Sequence, residues 1–260
     1  MNAPGQNPQR VGRLQVALID VGGTLWPNSW PIRKEDAAGR RLRIRAAMPG
    51  IEPAKVEALG DELIASSRPG DEARTISTEN LVSINSPAET LITECLSRCG
   101  LPADTDSIRR LRRAMSIPVS DRMKPLPGAV ALLAEIHRLG MRTVIASNTY
   151  WRDADSYWED FRLLGMAGHI DGIVTSVDAG HLKPHPAVFE MAMRWAGVTA
   201  DQSVVIGNRE ENDIAPALAL GMRAILVYPD DPKPAASRAD AFVPDLWECA
   251  KALRAMLESG

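Results

Sequence analysis

The chain has 260 residues, 45% hydrophobic and 24% charged, which suits one large globular domain or a core carrying an insertion. Thirty basic against 33 acidic residues leave a net charge of −3, so no bulk field favours nucleic acid or an anionic membrane surface. No run approaches the roughly 18 apolar residues of a membrane span, and the three cysteines, Cys95, Cys99 and Cys249, show no zinc-site spacing and read as reduced thiols of a cytoplasmic protein.

In chain order, residues 1–12 are polar and rich in Pro, Gly and Asn, the composition of a disordered tail without the apolar stretch of a signal peptide. The run Leu14–Asp20 then reads as a buried strand that ends on a carboxylate and turns through Gly22 and Gly23. From Trp26 to about Ser120 the pattern is helical, with little strand signal. Two basic runs, Arg40–Arg45 and Arg109–Arg113, are interleaved with aliphatics at helical spacing and read as solvated helix faces. Segments 52–67 and 106–116 look helical. Ser86–Gly100 opens with a capping box from Ser86 to Glu89, has Pro87 at its first helical position and closes on glycine.

The C-terminal half alternates. Strands are expected at Arg142–Ser147, Asp171–Val177, Ser203–Asn208 and Arg223–Tyr228, with helices at Leu126–Gly140, Pro184–Gly197 and Asn212–Met222. Alternation of this kind implies an α/β fold, a parallel sheet covered on both faces. The expected layout is an α/β core formed by 13–25 and 121–260, interrupted by a helical insertion over 26–120.

Ligands of open parallel sheets sit at the carboxyl ends of the strands. Asp20, Ser147 and Asn208 all fall there. An aspartate at a strand end, with glycines admitting a close approach, can act as a nucleophile; taken alone, it can equally be a turn or helix-cap residue. Ser147 and Asn148 can offer a hydroxyl and a backbone amide to a phosphate oxygen. Lys183, just before a helix, can place a fixed cation beside the nucleophile. Asn208, Glu210, Glu211 and Asp213 supply oxygen ligands for a hard cation such as Mg²⁺. Trp26, Trp30 and Arg33 follow the first strand, and Tyr150 and Trp151 the second. They can line a pocket mouth or pack the insertion on the core. His169, His181 and His185 are candidate acid–base groups, or plain loop histidines.

These stretches, in order, resemble the haloacid dehalogenase-like hydrolase superfamily: "DVGGTL" at Asp20–Leu25, "VIASN" at Val144–Asn148, "HLKPHPAVF" at His181–Phe189 and "VIGNREENDI" at Val205–Ile214. The resemblance implies a Rossmann-like core with a helical cap closing over the active site. It implies Asp20 as the nucleophile that forms an aspartyl intermediate. Thr24 and Ser147 bind the transferred phosphoryl group, and Lys183 stabilises the charge. Mg²⁺ is held by Asp20, the Gly22 carbonyl, Asn208 and Asp213. Asn148, Trp26, Trp30, Arg33 and Tyr150 are the expected substrate contacts, and the substrate is a small phosphorylated molecule.

Two departures stand out. Phosphatases of this family usually carry a second aspartate where Gly22 stands, and an acid where Asn208 stands. Glycine supplies no proton, and general acid–base help is worth typically ~10²–10⁴-fold. Three activities stay open. One is a Mg²⁺-dependent phosphatase, with another proton donor or with a leaving group such as that of an acyl phosphate. The others are a weak or inactive binding protein, and a metal-independent enzyme acting at carbon.

Overall fold

The computed structural model describes residues 13–27, 34–67, 87–116, 119, 123–228 and 237–258, with backbone alone at 34–36 and 87. Residues 1–12, Trp30, Arg33 and the Ser86 cap lie outside them. The strands are β1 (Val16–Ile19), β2 (Arg142–Ser147), β3 (Gly172–Thr175), β4 (Ser203–Gly207), β5 (Arg223–Val227) and β6 (Ala241–Val243), in the order β3-β2-β1-β4-β5-β6. Every pairing is parallel. The order reverses between β1 and β4, which opens a crevice beyond their carboxyl ends.

Both faces of the sheet are covered, so the strands read as unbroken apolar runs. Ala17, Ile19, Ile145, Ile206 and Ile225 pack on one side against α5 (Ala129–Arg138), α6 (Ala154–Leu163) and α10 (Leu246–Glu258). Val16, Leu18, Val144, Val205 and Leu226 point the other way, against α8 (Ala187–Ala196) and α9 (Ala215–Ala219). Adjacent residues of one strand serve opposite faces because side chains alternate.

Between β1 and β2 the chain forms α1 (Lys34–Ala47), α2 (Pro53–Ser66), α3 (Pro87–Arg98) and α4 (Thr105–Met115). Ile44, Leu59, Leu63, Ile92, Leu96 and Leu111 make a separate apolar cluster, and Trp151, from the loop after β2, is buried in it. The basic runs are not simply solvated. Arg40 Nε donates to the Met115 carbonyl at 2.8 Å, and Arg43 Nε to that of Ala114 at 2.9 Å. Arg110 Nε donates to the Ala47 carbonyl at 2.9 Å. Each helix of the antiparallel α1–α4 pair therefore has its carboxyl end capped by guanidinium groups of the other, where unpaired carbonyls and the helix dipole favour cations.

Three elements differ from the sequence reading. The helix expected over Asn212–Met222 is a π-helical turn, Glu210–Ile214, followed by the short α9. Pro216 lacks the N–H that would continue a regular ladder, and the wide turn absorbs the break. The expected strand Asp171–Val177 stops at Thr175, because Thr175 and Asp178 form a capping box that starts α7 (Ser176–Ala179). The segment read as an aromatic pocket mouth contains α6, started by Asp153, whose carboxylate accepts from the Ser156 N–H at 2.9 Å.

Candidate active site

Asp20 follows β1 directly, and its N–H pairs with the Ile206 carbonyl of β4 at 2.9 Å, so the backbone stays in the sheet up to the carboxylate. The chain then turns tightly. The Thr24, Leu25 and Trp26 N–H groups converge on the Val21 carbonyl, and Gly23 takes φ +79°, a left-handed conformation that glycine adopts without strain. Gly22 is not in that region, so its lack of a side chain is not demanded by φ. The turn brings Thr24 back, and its hydroxyl lies 3.3 Å from Asp20 Oδ2.

Lys183 joins the ends of β1 and β2 to the π turn after β4. Its Nζ donates to Asp20 Oδ1 at 2.8 Å, to the Ala146 carbonyl of β2 at 2.8 Å and to Asp213 Oδ1 at 2.6 Å. An ammonium has three protons, and all three are placed. Lys183 and Asp213 are almost wholly buried, at 3% and 1% exposure, and Asp20 is 9% exposed. Burial alone would weaken the ammonium's hold on its proton, but the two carboxylates reverse that and raise its pKa above the ordinary lysine value. Burial pushes the Asp213 carboxyl up to about 6; Lys183 opposes the shift and the Asp20 charge adds to it.

Asp213 reaches the site through the π turn. Its Oδ2 accepts from the Arg209 N–H at 3.1 Å, and its carboxylate lies against Gly207, where a Cβ would come 2.4 Å from Asp213 Cγ. Glycine at the end of β4 is thus a steric requirement of Asp213. Asn208 Oδ1 is buried and has no hydrogen-bond partner among the described residues. The other two acids of this stretch turn elsewhere. Glu210 Oε1 accepts from the Arg238 N–H at 3.3 Å, and Glu211 is exposed.

On β2, Ser147 is buried at the strand end, its Oγ 3.3 Å from the Tyr157 hydroxyl. Tyr157 was not foreseen. It belongs to α6, ten residues on, and only the path of the loop brings it back. Burial holds its phenol in the neutral form, pushed up to about 12. Asn148 uses its side chain on the backbone of Lys183, as donor to the carbonyl at 2.9 Å and acceptor from the N–H at 2.7 Å.

The aromatic residues turn inward. Trp26 is 4% exposed, its ring 4.9 Å from that of Phe161 and 5.7 Å from that of Tyr157, which corrects its expected place at a pocket mouth: it fills the core under α6. Tyr150 packs against the helical cluster, edge-on to Trp151 at 4.7 Å, so the packing alternative describes it. His169 sits in a short helical turn before β3, at the amino end of the sheet and away from Asp20. His181 and His185 flank Lys183 with their rings stacked at 3.9 Å. His185 Nδ1 accepts the Ala187 N–H, which in the neutral ring leaves the proton on Nε2.

A lysine thus bridges two carboxylates at the crevice of a 3-2-1-4-5-6 sheet, with a hydroxyl at the neighbouring strand end. The profile for haloacid dehalogenase-like hydrolases matches residues 14–221. The chain belongs to that family. It is 34% identical over 105 residues to a glyceraldehyde 3-phosphate phosphatase of Methanothermobacter thermautotrophicus, across 40% of this chain and 45% of the relative. It is 32% identical over 132 residues to a phosphoserine phosphatase of Thermus thermophilus, across 49% and 51%. The chain spans about half the length of the curated relatives it matches. The fold is similar to that of a 2-haloacid dehalogenase from Pseudomonas syringae (TM-score 0.55, 20% identity, 94% of this chain and 99% of that one). It is also similar to that of a phosphatase from Thermococcus onnurineus (TM-score 0.52, 16% identity, 92% and 98%).

Proposed function

We propose that this hydrolase is a cytoplasmic Mg²⁺-dependent phosphatase of a small phosphorylated metabolite, acting through an aspartyl-phosphate at Asp20. The observation that carries the reading is the Lys183 bridge between Asp20 and Asp213. Oδ1 of Asp20 is committed to Lys183, and among the described residues Oδ2 meets only the longer contact with Thr24, so Oδ2 is the oxygen assigned to attack phosphorus. A carboxylate approaching a phosphate dianion is repelled unless cations offset the charge. Lys183 supplies one from a fixed position and needs no reorganisation. The Thr24 and Ser147 hydroxyls are assigned to the transferred oxygens, and the helical insertion is assigned the role of a cap.

The donors near Asp20 fit a hard divalent cation. The Asn208 amide oxygen is a buried acceptor without a donor among the described residues, and the Asp20 carboxylate and the Gly22 carbonyl are oxygen ligands of the same kind. With Asp213 tied to Lys183 and an amide at position 208, the set is poor in charge, and weak metal affinity is expected. Bound there, Mg²⁺ would supply further neutralisation of phosphate charge.

Gly22 gives the leaving oxygen no proton. The reading therefore favours substrates whose leaving group departs as a stable anion, as the carboxylate of an acyl phosphate does. The same bridge supports a second reading: one fixed lysine serving the nucleophile would also suit metal-independent attack at carbon.

The test is phosphate release from an aryl phosphate and an acyl phosphate, with and without Mg²⁺, by the native chain, Asp20→Asn and Gly22→Asp. Mg²⁺-dependent release that vanishes in Asp20→Asn supports the proposal. Gly22→Asp should then speed the aryl phosphate, by up to ~10²-fold, more than the acyl phosphate. No release from any of these proteins would reject it in favour of carbon chemistry or a binding role.

A further inference from the structure

We propose that Asn148 is a positioning residue for Lys183, gripping its backbone while the side chain reaches the nucleophile. The inference rests on the hydrolytic reading of the site and gives Asn148 a different task from the substrate contact that its sequence position suggests.

The reciprocal pair fixes the side-chain orientation, because only one setting of the amide places its oxygen on the Lys183 N–H and its nitrogen on the Lys183 carbonyl. The side chain thus stands in for one residue of a neighbouring strand, extending β2 to a segment that belongs to no strand.

Three consecutive residues of the β2 end then act on one site. The Ala146 carbonyl accepts from Nζ, Ser147 presents its hydroxyl, and Asn148 holds the lysine backbone. A lysine side chain has four rotatable carbons and a large rotamer entropy to lose. With the backbone fixed at N and O and the ammonium fixed by three acceptors, both ends of the chain are set by the same strand and its neighbours. If the backbone grip is removed, the ammonium must also hold the loop in place.

The experiment compares the native chain with Asn148→Ala, which removes both bonds, and Asn148→Asp, which keeps an acceptor for the Lys183 N–H and loses the donor. Each protein is treated briefly with an amine-reactive ester. Modification of Lys183 is read by peptide mass spectrometry against the exposed Lys55 and Lys251 as internal standards. Losing two hydrogen bonds should raise local opening, and with it Lys183 labelling, by roughly tenfold in Asn148→Ala, and by less in Asn148→Asp. Labelling of the standards should not change. On a substrate the native chain turns over, kcat should fall with KM within about twofold, the pattern of a displaced transition-state contact.

Unchanged Lys183 labelling in both variants overturns the proposal, as does a raised KM with kcat intact, which would return Asn148 to the substrate. Labelling that rises equally at all lysines also overturns it, since that marks global unfolding. If Asn148→Ala does not fold, the Asn148→Asp comparison decides. If the native chain releases no phosphate, the functional reading falls, and the labelling experiment still tests the grip.

Discussion

Lys183 Nζ lies closer to Asp213 Oδ1, at 2.6 Å, than to Asp20 Oδ1, at 2.8 Å. The lysine is anchored to the buried Asp213 as firmly as to Asp20, so the three groups stand or fall together. Lys183→Met would leave two carboxylates in a buried site without their shared cation. The expected cost is about 3–5 kcal/mol at neutral pH, with loss of any turnover that depends on Asp20. Burial already raises the Asp213 pKa, and losing Lys183 raises it further. A carboxyl with a raised folded pKa contributes most when protonated, so the deficit should shrink as pH falls toward the acid range and grow as pH rises. Denaturation of Lys183→Met between pH 5 and pH 8, on the order of the range in which such a group titrates, checks the sign. Adding Asp213→Asn should recover part of the loss.

Gly207→Ala puts a methyl group where the Asp213 carboxylate lies. The neighbour is short and held by Lys183 and Arg209, so it cannot swing aside. A loss of about 1–3 kcal/mol is expected, with activity falling as Asp213 is displaced. Gly168→Ala is the control. It has open space around its Cβ position and should stay within about 0.5 kcal/mol in the same urea titration.

In the helical insertion, the arginines divide by what they cap. Arg40 is buried on the Met115 carbonyl, whereas Arg41 makes an exposed pair with Asp61 at 2.8 Å. Arg40→Met should cost about 1–3 kcal/mol because it strips a carbonyl of its charged donor. Arg41→Met should cost about 0–1 kcal/mol. Equal losses in thermal melts of the two variants would contradict the capping account.

Acid should weaken the junction between insertion and core. Asp153 is the cap of α6, and it accepts from Arg112 at 3.0 Å and Arg113 at 3.1 Å of α4. Burial would raise its pKa, but the Ser156 hydrogen bonds and the two guanidiniums outweigh that, and the net direction is downward. A carboxyl with a depressed folded pKa gives stability that is present above the ordinary aspartate range and lost as pH falls through the folded value. Glu135, held down to about 2 by Arg138 and Arg254, has the same sign, whereas Asp178, raised by burial, has the opposite one. Comparing melts of the native chain and Asp153→Asn isolates the junction. The native chain should be more stable at neutral pH, and the gap should close in acid.

Much of this was legible in the chain itself. Parallel strands buried on both faces must be continuously apolar, so β1, β2, β4 and β5 announce themselves, and their ends mark Asp20, Ser147 and the start of the Asn208–Asp213 stretch. Gly23 is readable for a related reason, since the turn after Asp20 needs a left-handed residue. The resemblance points to Asp213 among the acids of 208–213, but which group its carboxylate meets is not written in the sequence. That depends on a π turn whose extra residue shifts every side chain after it. The strand β6 is three residues long and leaves no periodic signal.

Sequence alone thus determined the α/β class, the family and the order of the chemical groups, because these follow from local periodicity and from short segments at strand ends. Tertiary structure decided what each group touches. It turned Trp26 and Tyr150 into packing residues, brought Tyr157 to Ser147, set Asp213 rather than Glu210 or Glu211 beside Lys183, and gave the side chain of Asn148 to a backbone thirty-five residues away. Those partnerships join residues far apart in the chain, and only the geometry of the folded sheet and its loops fixes distances between them.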